Sequence, residues 1–234
     1  MIEIPTDLPA ELVPLSWLIG VWEGTGVIDY AIGDEGDPGA EGTGGADSAA
    51  GGDAAGEPGA GVTRVSREFG QRISFSHDGL PYLNYSSYTW LLGEKTDDGD
   101  ETPPIPLTAE TGYRRLSRLH IEGDVGPGML PGVGPRPFNT AQSVETLRNS
   151  AEGFDIEVSI VHPTGVSELY LGQVKGPRID LATDAVVRTQ SAKEYSAATR
   201  LYGLVDNHLL WAWDIAALGQ SLRTHASARL AKAD

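Results

Sequence analysis

The chain has 234 residues, with 33 acidic against 17 basic side chains and a formal charge of −16. That balance excludes a nucleic-acid partner held through phosphate contacts, and the absence of cysteine excludes disulfides, iron–sulfur clusters and thiol catalysis. The charge is uneven: residues 33–61 hold 11 glycines, 7 alanines and 7 acidic residues, so the other 205 residues carry 26 acidic against 17 basic groups, a formal −9.

Asp7 reads as an N-cap and Pro9 as an early helical position, which predicts a short N-terminal helix ending near Pro14. Met1 to Leu12 has no basic residue, and no stretch approaches the roughly 18 apolar residues of a membrane helix. A soluble cytoplasmic protein with no membrane partner is therefore expected. Trp22 to Tyr30 reads as a first strand. The Gly33 to Gly61 segment is too poor in apolar side chains to offset the entropy of ordering it, and is expected to be a disordered insertion.

Beyond it the pattern has period two. Ser66 to Phe75 and Tyr82 to Leu92 are rich in aromatic and β-branched residues, and Asp78, Gly79 and Pro81 between them predict a hairpin. Further strands are expected at Gly112 to His120, Gln142 to Arg148, Phe154 to Val161, Val166 to Val174, Arg178 to Ala182, Ala192 to Val205 and His208 to Ala217. Gly93 to Pro106 and Gly123 to Pro137 read as expanded surface loops. Ten short strands with no long helical pattern predict a single all-β domain, an antiparallel barrel or sandwich. In Leu218 to Ala231, Leu222, Ala226 and Leu230 fall four apart with His225 on the same face, which predicts a C-terminal helical segment with one inward histidine.

The five histidines are His77, His120, His162, His208 and His225. No two share the spacing of a zinc site, so a polydentate metal centre has no support. A single histidine can still ligate a heme, because the porphyrin supplies the other four donors and a barrel can enclose it. On the residues alone, an inward histidine reads first as structural. There is no GxSxG elbow for acyl transfer. Gly20-Val21-Trp22-Glu23-Gly24-Thr25-Gly26 is dense in glycine but opens no βαβ unit, so it reads as a strand in close approach with Trp22 plugging a barrel end. Lys193 reads either as a solvated charge or as a partner for an anionic cofactor. Trp90, Trp211 and Trp213 fit core packing or the exposed face of a homodimer.

Five blocks in order resemble the nitrobindins, fatty-acid-binding-protein-like heme proteins also called peroxynitrite isomerases. Gly20-Val21-Trp22-Glu23-Gly24-Thr25-Gly26 is similar to their GxWxGxG motif, and Phe75-Ser76-His77-Asp78-Gly79-Leu80-Pro81 to their F-x-H-x-G-K-P hairpin. Ala109-Glu110-Thr111-Gly112-Tyr113-Arg114-Arg115 resembles E-[ST]-G-Y-x-R, His162-Pro163-Thr164-Gly165 resembles P-[ST]-G, and Gly219-Gln220-Ser221-Leu222-Arg223-Thr224-His225 resembles P-L-x-x-H. The resemblance implies a ten-stranded antiparallel barrel with heme b at its mouth, converting peroxynitrite to nitrate and binding nitric oxide at ferric iron. It implies His225 as the axial metal ligand, Lys193 and Ile215 as heme neighbours and His77 on the distal side. Trp22 joins the cofactor set, and His77 joins His225 as a catalytic candidate. Tyr30 is followed by Ala31-Ile32-Gly33 where the family usually has Tyr-Pro-Thr-Ile, and Leu80 and Ser221 replace a lysine and a proline. Two other readings therefore stay open. One is a non-heme carrier of a small apolar ligand, with Arg114, Arg115, Tyr113 or Arg200 as carboxylate partners; the other is a scaffold whose acidic segment recruits a basic partner.

Overall fold

The computed structural model describes residues 8–32, 63–93 and 102–233. Asp7, the Gly33 to Gly61 segment and most of the Gly93 to Pro106 loop lie outside the described residues. Ten strands, β1 (Gly20–Ile32), β2 (Thr63–Ser76), β3 (Leu83–Leu91), β4 (Ile105–Leu116), β5 (Phe154–His162), β6 (Val166–Lys175), β7 (Arg178–Arg188), β8 (Tyr195–Val205), β9 (His208–Ala217) and β10 (Arg223–Ala233), form a closed antiparallel barrel. Each strand pairs with its neighbours in sequence, and β1 pairs with β10 to close the ring. Closure leaves no edge strand to template association.

Strand alternation sets what faces inward. β5 buries Phe154, Ile156, Val158, Ile160 and His162, and the residues between them face out. One end of the barrel is sealed by a 3-10 helix, Ala10–Leu18, whose Leu12, Leu15 and Leu18 are fully buried. Pro14 inside it has no amide to donate, and the helix runs past this expected end to Leu18. Trp22 packs against this plug and donates from Nε1 to the Leu18 carbonyl at 2.7 Å. Gly26 explains the glycine-rich start of β1: a Cβ there would stand 2.3 Å from the Ser227 oxygen and 2.5 Å from Phe69 Cζ.

Two expected elements differ. The C-terminal segment is strand β10 and not a helix, because Ala226, Ala228 and Leu230 satisfy period two as well as a spacing of four, and β1 offers them an open edge. Gln142 to Arg148 is not a strand: Ala141–Glu145 forms a helix, α1, started by a capping box in which Thr140 and Ser143 bond each other's backbone amides. The tryptophans also divide. Trp211 and Trp213 turn inward, whereas Trp90 stacks on Tyr88 outside, over Gly70.

Candidate functional site

At the end opposite the plug, the last residues of β1 and β9 meet the first residues of β8 and β10. His225 occupies a β-bulge there: Thr224 pairs with Asp214 and Ala226 with Trp213, so His225 is the extra residue. A bulge re-aims the side chain it carries, and here it turns the imidazole toward the interior Trp213, edge-on at 5.6 Å between centroids. His225 Nδ1 lies 3.2 Å from the Asp29 carbonyl oxygen on β1. That pairing makes Nδ1 the protonated nitrogen and leaves the Nε2 lone pair for a ligand. Burial holds the imidazole below its ordinary 6.5, with the Arg223 charge acting the same way and the Asp29 carbonyl opposing. The neutral form that a metal requires is thereby favoured.

Ile215 pairs in register with Arg223 and packs partly buried on the core beside this mouth. Lys193 is exposed on the turn entering β8 at the same end, its carbonyl accepting from Arg188 Nη1 at 3.0 Å. His225, Ile215 and Lys193 are thus brought to one end of the barrel.

His77 and Trp22 are not. His77 sits half-buried in the turn after β2, its Nδ1 accepting from the Gly79 amide at 3.2 Å. Asp29 pairs with Ser66, and a strand advances about 3.3 Å per residue, so His77 lies on the order of 30 Å from the His225 end. Trp22 is on the plug side, roughly 20 Å along β1 from Asp29 by the same measure. The register therefore does not bring His77, expected on a distal side, or Trp22, expected in the cofactor set, to the end of the barrel where His225 stands. Of the carboxylate partners considered, Arg114 and Arg200 face inward, while Tyr113 is exposed against Tyr82 and Arg115 pairs with Glu157 outside.

Beneath the mouth the barrel contains a polar layer that sequence reasoning missed. Arg200 donates to Glu110 through Nη1 at 2.9 Å and Nη2 at 2.8 Å, and through Nε to the Tyr170 hydroxyl at 3.0 Å. Tyr85 donates to Glu110, and Tyr170 and Tyr195 both donate to Glu168. His162 lies between the two carboxylates, Nε2 at 2.7 Å from Glu168 and Nδ1 at 3.6 Å from Glu110. Its ring stacks on Trp213 at 6.0 Å, and Arg200 Cζ stands 4.1 Å from the Trp213 centroid. Burial alone would raise the Glu110 carboxyl, but the charge and hydrogen bonds of Arg200 outweigh it and hold the group at about 2. Glu168 is likewise lowered against its burial, by His162 and Arg200, and burial pushes the Tyr170 and Tyr195 hydroxyls well up. The available signal was strand parity: Glu110 and Arg114 share one face of β4, and Glu168 and Tyr170 one face of β6.

A closed antiparallel barrel, plugged at one end by a helix and carrying at the other an imidazole held to a main-chain carbonyl, defines the class of protein. The THAP4-like, heme-binding beta-barrel domain matches residues 11–232, and the chain belongs to that family, the nitrobindins. It is 70% identical over 234 residues to a peroxynitrite isomerase of Leifsonia xyli subsp. xyli, covering all of both chains. It is also 62% identical over 234 residues to one of Clavibacter michiganensis subsp. michiganensis, again covering all of both. The structure of Rv2717c from M. tuberculosis superposes with a TM-score of 0.57 at 23% identity, covering 97% of this chain and 100% of that one, which shows the shared fold.

Proposed function

We propose that this chain binds heme b at the barrel mouth with His225 as axial ligand, and isomerises peroxynitrite to nitrate. The observation that carries the reading is the bulged His225, its Nδ1 directed to the Asp29 carbonyl and its Nε2 left available, in a chain 70% identical end to end to a protein named peroxynitrite isomerase. The donor set fits the group: one neutral imidazole, apolar neighbours in Trp213 and Ile215, and a cation, Lys193, at the rim for a propionate.

When bound, heme would supply a Lewis-acidic iron able to take an anionic peroxo substrate or nitric oxide. The protein's own part is positional. Asp29 fixes the tautomer and ring plane of His225, and Trp213 blocks rotation toward the interior. Trp213 and Ile215 keep water from the histidine side, and the Glu110–Arg200–Glu168 layer gives the pocket a rigid floor. His77 takes no part in this arrangement. We further propose that the protein works in the cytoplasm.

Titration of the purified chain with hemin, followed by stopped-flow decay of peroxynitrite with nitrate quantified, tests the reading. A Soret band and accelerated nitrate formation are expected for the parent chain, and loss of both for His225→Ala. An identical spectrum in His225→Ala overturns it.

A further inference from the structure

Arg114 stands on β4 in the plugged half of the barrel and has no solvent exposure. Three aromatic rings surround its guanidinium: Cζ lies 4.3 Å from the Tyr202 centroid and 4.8 Å from those of Phe75 and Tyr85. Ring faces attract the flat cation, but they accept none of the N–H bonds that point outward in its plane. Nε, Nη1 and Nη2 are all buried without a hydrogen-bond partner.

Arg200 provides the comparison. In the same interior, its three nitrogens donate to Glu110 and Tyr170. The chain thus completes one buried arginine and leaves the other open. Glu110, four residues from Arg114 on the same strand, is already committed, since it accepts twice from Arg200 and once from Tyr85. A buried cationic fork with nothing to donate to is costly, and only an acceptor relieves it. Two coplanar oxygens suit the fork best.

We infer that Arg114 anchors a second, enclosed binding site at the barrel floor for a small, planar, monoanionic oxyanion of the nitrate, formate or bicarbonate class. Enclosure sets the size. Phe75, Tyr85, Leu83, Leu116 and Tyr202 are each at most 3% exposed, so no path remains for the tail of a long-chain carboxylate. The Glu110–Arg200–Glu168 layer lies between this site and the mouth, so the site is separate from the His225 pocket. Nitrate is also the product of the reaction proposed above, but the site rests on Arg114 and its cage alone and its test uses no heme.

The full chain is unfolded in urea and refolded in sodium nitrate, so that the enclosed site can fill. After exhaustive exchange into chloride buffer and denaturation, the released anion is measured by ion chromatography. One nitrate per chain is expected from the parent protein, and none from Arg114→Met, which keeps an unbranched apolar stem and removes the donors. The melting temperature in nitrate should exceed that in equal chloride by several degrees for the parent and not for Arg114→Met. Arg114→Lys, which keeps the charge and loses the fork, should retain less than a tenth of the nitrate. If Arg114→Met fails to fold, a high-resolution crystal structure of the parent chain grown in nitrate decides the matter: a trigonal ion on the Arg114 fork supports the site. Waters alone in the fork, or a parent chain that releases no anion and melts identically in nitrate and chloride, overturns it.

Discussion

The indole of Trp213 meets the imidazole of His225 edge-on, with ring centroids 5.6 Å apart and planes at 81°. The same indole is stacked on His162 at 12° and capped by Arg200, so the charged layer inside the barrel is mechanically joined to the histidine at its mouth. An edge-to-face pair of this kind contributes about 0.5–1.5 kcal/mol beyond the area it buries. Trp213→Leu is therefore expected to weaken hemin binding by roughly 2- to 10-fold, while Trp213→Phe, which keeps an aromatic edge, stays closer to the parent. Hemin titrations followed at the Soret band measure the difference; equal affinities for parent and Trp213→Leu would show that Asp29 alone orients His225.

The period-two texture made most strands legible in the sequence, since each inward residue must be apolar where it meets the core. It failed where two periods coincide. Ala226 and Leu230 are four apart and also both even-numbered, and only the open edge of β1 decides between helix and strand. The His225 bulge was not legible either, because an extra residue in a ladder depends on how β9 and β10 register in space. His77 attracted a role through its place in a motif, yet a turn at the plug end cannot reach the mouth. The Glu110–Arg200–His162 layer was hidden because its members lie on β4, β5 and β8, far apart in sequence, and carry no local pattern.

Gly26 is the tightest point of the glycine motif. An added Cβ would meet the Ser227 carbonyl at 2.3 Å, Phe69 Cζ at 2.5 Å and the Ala228 Cβ at 2.6 Å, and a carbonyl in a ladder has no freedom to yield. Overpacking of this kind costs about 1–3 kcal/mol, and for a chain of this size each kcal/mol lowers the melting temperature by roughly 2–4 °C. Gly26→Ala should therefore melt roughly 2–12 °C below the parent in a thermal scan. A variant that melts with the parent would mean that β1 and β10 can separate at this point without loss.

Lys193 is exposed, so its influence on an anionic cofactor must act through solvent and be screened by salt. Lys193→Glu is expected to speed hemin loss to a scavenger apoprotein severalfold at low ionic strength, with the difference shrinking toward 1 M salt, where the screening length is about 3 Å. A salt-independent difference would point to altered packing of the turn and not to charge.

Burial keeps His225 neutral below its ordinary 6.5. The folded protein therefore binds this proton more weakly than the unfolded chain, and the neutral ligand persists as pH falls through 6.5. Hemin affinity should stay level from neutral pH through 6.5 and fall only in more acidic buffer, as read from Soret titrations at stepped pH. A midpoint at 6.5 or above would mean that the imidazole is solvated.

Glu110 gives the barrel interior a pH dependence. Burial acts to raise its carboxyl, yet the Arg200 charge and hydrogen bonds bring it from 4.5 to about 2, and Glu168 moves in the same direction beside His162 and Arg200. Both groups bind a proton more weakly folded than unfolded, so their stabilisation is full above pH 4.5 and is lost as pH falls below it, for Glu110 as pH falls toward 2. At Glu110 the shift is worth roughly 3 kcal/mol at neutral pH. Glu110→Gln removes the titrating group but leaves Arg200 charged and buried, so the variant should be about 3–5 kcal/mol less stable at neutral pH. Its stability should also fall less steeply than the parent's below pH 4.5. Urea unfolding at stepped pH measures both quantities, and an acid limb of the same slope in Glu110→Gln would assign the dependence to other carboxylates such as Asp124, which Arg118 holds at about 2.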